Sequence, residues 1–409
     1  MVVTRAPQCL TVLAPIRPDK ESGLRGVLRA IGDDIKGKDL AAGRTRPHIA
    51  FVRSRHIHFA RFAILNDPDR GSNRSRLLFT SIYDGSLDAH LDELTSITSD
   101  MNAIWGACEG YTGANDFPSF VSACAQEPAA YYIAFRDETV ESITRAIDAR
   151  RRGQSLQDNG GPRVRVASNG RRDSLLRRAL RAAPIVVDLV RAVARSGFGH
   201  VFHGTSQILA SLDRYPLFRV FNWITRNQIP PLKSHYSSLV LDQRAPFQPL
   251  APGDEIPTRP AAGSPALRED AVAQNQLTVV TVIDPAHLDR VRAVMAAIDS
   301  YARRLAPSGS LIGISTIHFA RWLVIDHGRR LLFVSDYDGS WESYIDEFAE
   351  MILTGLDAIW DTSFGMPPDG ARDLPAFKRF LRSHQVPSDL FFAAYPEETV
   401  LNVATDRAQ

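Results

Sequence analysis

The chain has 409 residues, 44% apolar and 23% charged, with a formal net charge of +2. That length allows two or three domains and a large core, and the near balance of charge argues against a dedicated nucleic-acid binder. Three cysteines, Cys9, Cys108 and Cys124, form no CxxC pair, which argues against a disulfide framework or structural zinc.

In chain order, Leu10–Ile16 reads as a strand and Lys20–Ile31 as a helix. The run from Cys9 to Ile16 is too short for a signal peptide and lacks a cleavage site. No stretch approaches the roughly 18 apolar residues of a membrane span, so the expected setting is a reduced cytoplasm. His56–Leu65 and Arg76–Tyr83 are strands, with Gly71 and Asn73 marking the turn between them. Asp84-Gly-Ser86 stops the second of these and opens a helix in which Leu87, Leu91, Leu94, Met101 and Ile104 recur at helical spacing. A short helix at Pro118–Cys124 precedes a strand at Ala130–Phe135.

The same order then recurs. Strand Leu277–Ile283, helix Ala286–Arg304, strands Ile314–Ile325 and Arg330–Tyr337, helix Trp341–Trp360, helix Leu374–Ser383 and strand Leu390–Tyr395 follow one another. Identical words mark the recurrence: His-Phe-Ala-Arg at His58–Arg61 and His318–Arg321, Arg-Leu-Leu-Phe at Arg76 and Arg330, Tyr-Asp-Gly-Ser at Tyr83 and Tyr337, and Ala-Ile-Trp at Ala103 and Ala358. The copies lie 260 residues apart at the histidines, 254 at Asp84 and Asp338, and 255 at the tryptophans. The pattern predicts an internal duplication of a ferredoxin-like βαββαβ unit. Each sheet leaves one face open, so two fused copies are expected to pack those faces into an intrachain α+β barrel. The expected divisions are a first repeat over residues 1–150, an insert over 151–270 and a second repeat over 271–409.

The insert is basic. From Arg145 to Arg195 there are 13 arginines against four acids. A helix from Asp173 or Ser174 to about Arg195, kinked at Pro184, and a Phe- and Trp-rich helix around Ser206–Arg226 are predicted before a proline-rich connector. Such helices either pack on the core or dip into an anionic membrane surface, here through residues 171–229, or cover an apolar cavity.

Strand alternation puts His58, Ala60 and Phe62 on one face and Phe59 and Arg61 on the other, with the same split for His318 and Arg321. Arg61 with Asp84, and Arg321 with Asp338, are candidate catalytic groups if one face lines a cavity, and strand-closing salt bridges otherwise. His56, His58, His318, Tyr83 and Tyr337 are candidate ligand contacts. A feature needed twice is better explained by the fold, so residues found in one half only are also candidates: His56 (Thr316 in the second copy), His287, His327, Asp336 (Ile82 in the first), and His200, His203, His235 and Tyr236 in the insert. His56-x-His58 places two imidazoles on one strand face, but with Thr316 in the other copy any metal would be one-sided; no metal site is predicted. GxSxG, HExxH, GxxxxGK[ST] and GxGxxG are absent.

Glu269-Asp270 with Gln274–Thr278, Thr316–Trp322 and Tyr337–Glu342 together resemble a group of bacterial tandem-repeat proteins of the dimeric α+β-barrel superfamily, a likeness that takes in Tyr236-Ser-Ser238. The superfamily includes dye-decolourising peroxidases, chlorite dismutases and small monooxygenases. The resemblance implies the barrel and suggests haem as the cofactor. Ser81-Ile-Tyr-Asp84-Gly85 and Ser335-Asp-Tyr-Asp338-Gly339 look like the peroxidases' GxxDG motif without its first glycine. The resulting expectation is a barrel that binds a bulky apolar ligand (lipid, quinone or haem), with peroxidase- or monooxygenase-like oxidoreduction as its enzymatic form. The alternative is a non-catalytic protein with a filled barrel that binds a membrane surface or a partner, peripheral on the inner membrane.

Overall fold

The computed structural model describes residues 7–35, 48–67, 74–158, 273–304 and 306–408. It is a mixed α+β structure with two four-stranded antiparallel sheets. The first half contains β1 (Gln8–Pro15), α1 (Glu21–Ile35), β2 (Ile57–Asn66), β3 (Ser75–Tyr83), α2 (Leu87–Ile97), α3 (Met101–Trp105), α4 (Phe117–Cys124), β4 (Ala130–Ile133) and α5 (Val140–Asp158). The second contains β5 (Gln274–Val282), α6 (Leu288–Arg304), β6 (Ile317–Ile325), β7 (Arg330–Asp338), α7 (Trp341–Trp360), α8 (Leu374–Ser383), β8 (Ser388–Ala393) and α9 (Val400–Ala408). The helices predicted within 173–226 lie outside the described residues.

The sheets are ordered β1-β3-β2-β8 and β4-β6-β7-β5. Each is therefore completed by the last strand of the other half. The crossing is continuous. Ala125 bridges Val12 on β1, and the chain then runs onto β6, where Ala130 pairs with Trp322 and Ile133 with Phe319. In the same way Gln385 bridges Val279 on β5 before β8 pairs with β2, from Ser388 opposite Ala63 to Ala393 opposite Phe59.

Strand residues are buried on both faces, which explains why β2, β3, β6 and β7 read as unbroken apolar runs. One face lies under helices: Leu24, Leu28 and Ile31 of α1 fall at i, i+4 and i+7 and join Val12, Phe62 and Phe79 in one core cluster. The other faces its counterpart. Leu13, Ala63, Leu65 and Leu78 of one sheet pack directly on Val280, Leu323, Ile325, Leu332 and Val334 of the other.

Local signals explain the turns. Gly85 and Gly339 adopt φ of 92° and 79°, a region that disfavours side chains, and the serine after each caps the next helix: Ser86 Oγ accepts from Ala89 N at 3.2 Å and Ser340 Oγ from Ser343 N at 3.2 Å. One predicted helix is broken. Thr98 is extended and bridges Ile49, so α2 ends there, and Asp100 caps a separate α3. Helices α5 and α9, which begin at the valine of Glu-Thr-Val in each half, escaped the sequence reading, and α5 runs past the expected boundary at residue 150.

Because each sheet needs a strand from the other half, cutting the chain at a protease site placed between residues 159 and 272 should leave two fragments that co-elute on gel filtration and separate only in denaturant. Fragments that part under native conditions would contradict the exchanged pairing.

Candidate functional site

The repeated strand motif meets its partners at a β-bulge. Ile57 pairs with Tyr83 and Phe59 with Ile82, leaving His58 as the extra residue; Ile317, His318 and Phe319 repeat this on β6. A bulge re-aims side chains, so strict alternation fails here: His58 and Phe59 both reach the junction between the halves. His58 lies 5.6 Å from the Phe319 ring and Phe59 lies 5.5 Å from the His318 ring.

His58 Nε2 lies 3.0 Å from Asp84 Oδ1, and His318 Nε2 lies 2.8 Å from Asp338 Oδ1. The second oxygen of each aspartate accepts from the N-terminus of the helix after the last strand, Val140 N at 2.8 Å and Val400 N at 2.7 Å. Each aspartate thus links a bulge histidine to a helix start, where negative charge is favoured. The expected Arg61–Asp84 and Arg321–Asp338 bridges do not form; both aspartates serve histidines and both arginines go elsewhere.

In one half the chain extends further. Tyr395 Oη lies 2.9 Å from His58 Nδ1, whereas the residue 260 positions earlier in the chain is Phe135, which has no hydroxyl to offer. A carboxylate only accepts, so His58 Nε2 donates to Asp84 Oδ1. Burial, and then Asp84, Asp336 and Asp338, hold the Tyr395 phenol well above its ordinary pKa. The result is a phenol–imidazole–carboxylate relay enclosed in protein: Tyr395, His58 and Asp84 are all buried.

The arginines cross between the sheets. Arg61, 1% exposed, leaves β2 and donates to Leu277 O at 2.8 Å, Thr278 Oγ1 at 2.9 Å and Ser335 O at 2.8 Å, and pairs with Asp336. Burial lowers its pKa and Asp336 opposes this. Arg321 makes the reverse crossing from β6 and donates to Leu10 O at 3.1 Å and Thr11 Oγ1 at 3.3 Å. Ile82 holds the place that Asp336 has in the other half, each being the strand partner of the bulge phenylalanine.

A third asymmetry lies behind the tyrosines. Tyr337 stacks on Tyr344 with centroids 3.9 Å apart, and Tyr344 Oη bonds Ser335 Oγ at 2.7 Å. Tyr83 stacks on His90 at the same 3.9 Å, but the imidazole is shorter than a phenol. Both ring nitrogens of His90 and the hydroxyl of Ser81 are buried without a hydrogen-bond partner. Burial, then His56, pushes the His90 pKa down to about 3.

The remaining candidates do not converge. His56 is exposed beside Glu93, at 3.3 Å, and is not joined to His58. His287 pairs with Asp284 at 3.2 Å, and His327 sits in a left-handed turn with Asp326 and Gly328. His200, His203, His235 and Tyr236 lie outside the described residues. Among the described residues no group of three or more His, Cys, Asp and Glu is placed to hold a metal ion. A haem does not fit the described interior. Aliphatic side chains and two arginines occupy the space between the sheets, and His58 has both ring nitrogens engaged by Tyr395 and Asp84. A cavity of about 10 Å³, lined by residues including Ser142, Val403 and Asp406, lies between α5 and α9 and has room for one water at most.

Tyr395, His90 and Ser81 were missed by sequence reasoning. The register-matched comparison of halves could have found the first two, as Tyr395 against Phe135 and His90 against Tyr344. Comparisons with protein-family models, curated proteins and solved structures yield no match.

Two outcomes test this geometry. Asp336→Ala strands a buried guanidinium and should cost about 3–5 kcal/mol in urea unfolding, whereas Glu93→Ala should cost under about 1 kcal/mol. His90→Tyr should reach Ser81 and stabilise by about 1 kcal/mol. It should also remove a pH dependence. Between pH 6.5 and about 3 the unfolded chain binds a proton at residue 90 that the folded chain refuses. Wild-type stability therefore falls as pH drops through that window, by up to about 1.4 kcal/mol per unit from this group. Urea midpoints at pH 7.5 and 4.5 for both proteins measure the difference.

Proposed function

We propose that the chain is a non-catalytic membrane-surface protein. In this reading two ferredoxin-like repeats, fused in one chain by internal duplication, form a closed scaffold of the dimeric α+β-barrel type. The scaffold carries a basic segment, residues 171–229, to anionic lipid at the inner face of a membrane. The observation that supports it most is the filled inter-sheet space, where nine aliphatic side chains and two crossing arginines stand where a bound molecule would lie. A barrel holding a lipid, quinone or haem, with oxidoreductive chemistry at Arg61, Asp84, Arg321 and Asp338, needs that space and has less support.

The charge pattern supports the lipid assignment. Arginines at the start of the basic run are used by the scaffold: Arg150 pairs with Glu398 and Asp406, and Arg151 with Glu397. Residues 159–195 hold a further nine arginines against Asp173 and Asp188, followed by Phe218, Phe221 and Trp223. These residues lie outside the described ones, and their composition suits anionic lipid: each basic residue near an anionic surface contributes about 1 kcal/mol, and aromatic side chains suit the interface. No helix among the described residues is long and apolar enough to cross a membrane, so attachment would be peripheral.

Co-sedimentation with phosphatidylglycerol-containing vesicles tests the reading. The full chain should pellet with anionic vesicles, release in high salt and ignore phosphatidylcholine vesicles, and removal of residues 171–229 should abolish pelleting. Equal binding by the deleted protein, or none by the full chain, refutes it.

A further inference from the structure

The protons of the Tyr395–His58–Asp84 chain are fixed by its acceptors. His58 Nε2 donates to the Asp84 carboxylate. Among the described residues His58 Nδ1 is the one hydrogen-bond partner of Tyr395 Oη, at 2.9 Å. A proton on Nδ1 would leave the buried phenol O–H with no acceptor, at the full cost of its desolvation. With Nδ1 bare, every group is satisfied: the phenol donates to Nδ1, Nε2 donates to Asp84, and Asp84 accepts from Val140 N. Other tyrosines are placed differently. Tyr344 Oη bonds Ser335 Oγ, Tyr131 Oη lies 3.4 Å from Pro7 O, and the hydroxyls of Tyr111 and Tyr132 have no hydrogen-bond partner among the described residues. None of these hydroxyls meets a base. His318 and Asp338 repeat the imidazole–carboxylate pair, but the residue matching Tyr395 is Phe135.

We infer that Tyr395 is a redox-active tyrosine, which a one-electron oxidant converts to a neutral phenoxyl radical while its proton crosses to His58. The oxidant gains one electron. The Tyr395 O–H bond breaks, an N–H bond forms at His58 Nδ1, and an imidazolium results. Asp84 already holds the far nitrogen, and its carboxylate balances the new positive charge. The proton stays within the chain of three residues.

The surroundings favour this step. Burial, and then Asp84, Asp336 and Asp338, keep the phenol protonated, so no phenolate forms first and the proton moves with the electron. The same carboxylates favour loss of negative charge from the ring. Phe59 meets the Tyr395 ring edge-on at 5.6 Å, and the imidazoles of His58 and His318 lie at 5.9 and 6.2 Å. A phenoxyl enclosed in this way is kept from coupling with a second phenol.

Flash photolysis of the full chain, with photogenerated tris(bipyridine)ruthenium(III) as the one-electron oxidant and electron paramagnetic resonance as the detector, tests the assignment. The wild-type chain should give a persistent neutral phenoxyl signal that Tyr395→Phe loses. Its formation should slow in deuterated water, because a proton moves with the electron. His58→Gln keeps an acceptor for the phenol but supplies no base, and should slow formation on the order of a hundredfold. Should that variant fail to fold, the solvent isotope effect on the wild-type chain decides. A persistent signal in Tyr395→Phe, equal rates in light and heavy water, or an unslowed radical in His58→Gln each overturns the assignment.

Discussion

The last strand of each half begins on one sheet and ends on the other, and the rest of the structure follows from that exchange. Gln126 N bonds Thr11 O on β1 before Ala129 N reaches Trp322 O on β6; Val386 N bonds Thr278 O before Ala394 N reaches His58 O. The edges that would otherwise offer unpaired backbone groups are covered by these crossings. The crossings also bring Phe391 and Tyr395 to the bulges on β2 and β6. There Phe59 stacks on Phe391 at 6.1 Å and meets Tyr395 edge-on at 5.6 Å. The aspartates complete the joint, because the helices they cap are the elements that follow the exchanged strands.

Within this near two-fold frame the polar interior is not two-fold. Tyr395 faces His58 while the matching residue of the first half is Phe135; Asp336 neutralises Arg61 while the matching strand position holds Ile82; Tyr344 satisfies Ser335 while His90 leaves Ser81 alone. The backbone ends of the arginine crossings are shared: a carbonyl and a threonine hydroxyl receive each guanidinium. One crossing arginine is therefore held with a carboxylate and the other, among the described residues, without one.

The strands and the long helices were legible because apolar periodicity is local. Pairing partners were not. Asp84 lies one residue beyond β3 and Arg61 sits on the neighbouring strand, so a bridge within the half looked natural; the bulge at His58 shifted the register and gave Asp84 an imidazole instead. Asp336 matches an isoleucine, Ile82, when the halves are aligned, but its partner Arg61 is 275 residues away, and no periodicity reports a contact at that range. The filled interior was equally hidden. Leu13, Leu65, Leu323 and Leu332 read as strand residues, and whether two such faces touch or enclose a space depends on how closely the sheets approach.

The exchange also sets a schedule for synthesis. Asn66 closes β2, but β8, which covers its edge, starts only at Ser388, 322 residues later. At roughly 5–20 residues per second that edge waits on the order of 15–65 s on the ribosome. In that interval the first half holds its own β1 and β3 but has no neighbour for the backbone groups of Phe59 to Ala63, and β4 has no strand to join. The nascent chain must keep this edge from pairing with other chains until the second half arrives. A polypeptide in which each half closed on itself would face no such delay.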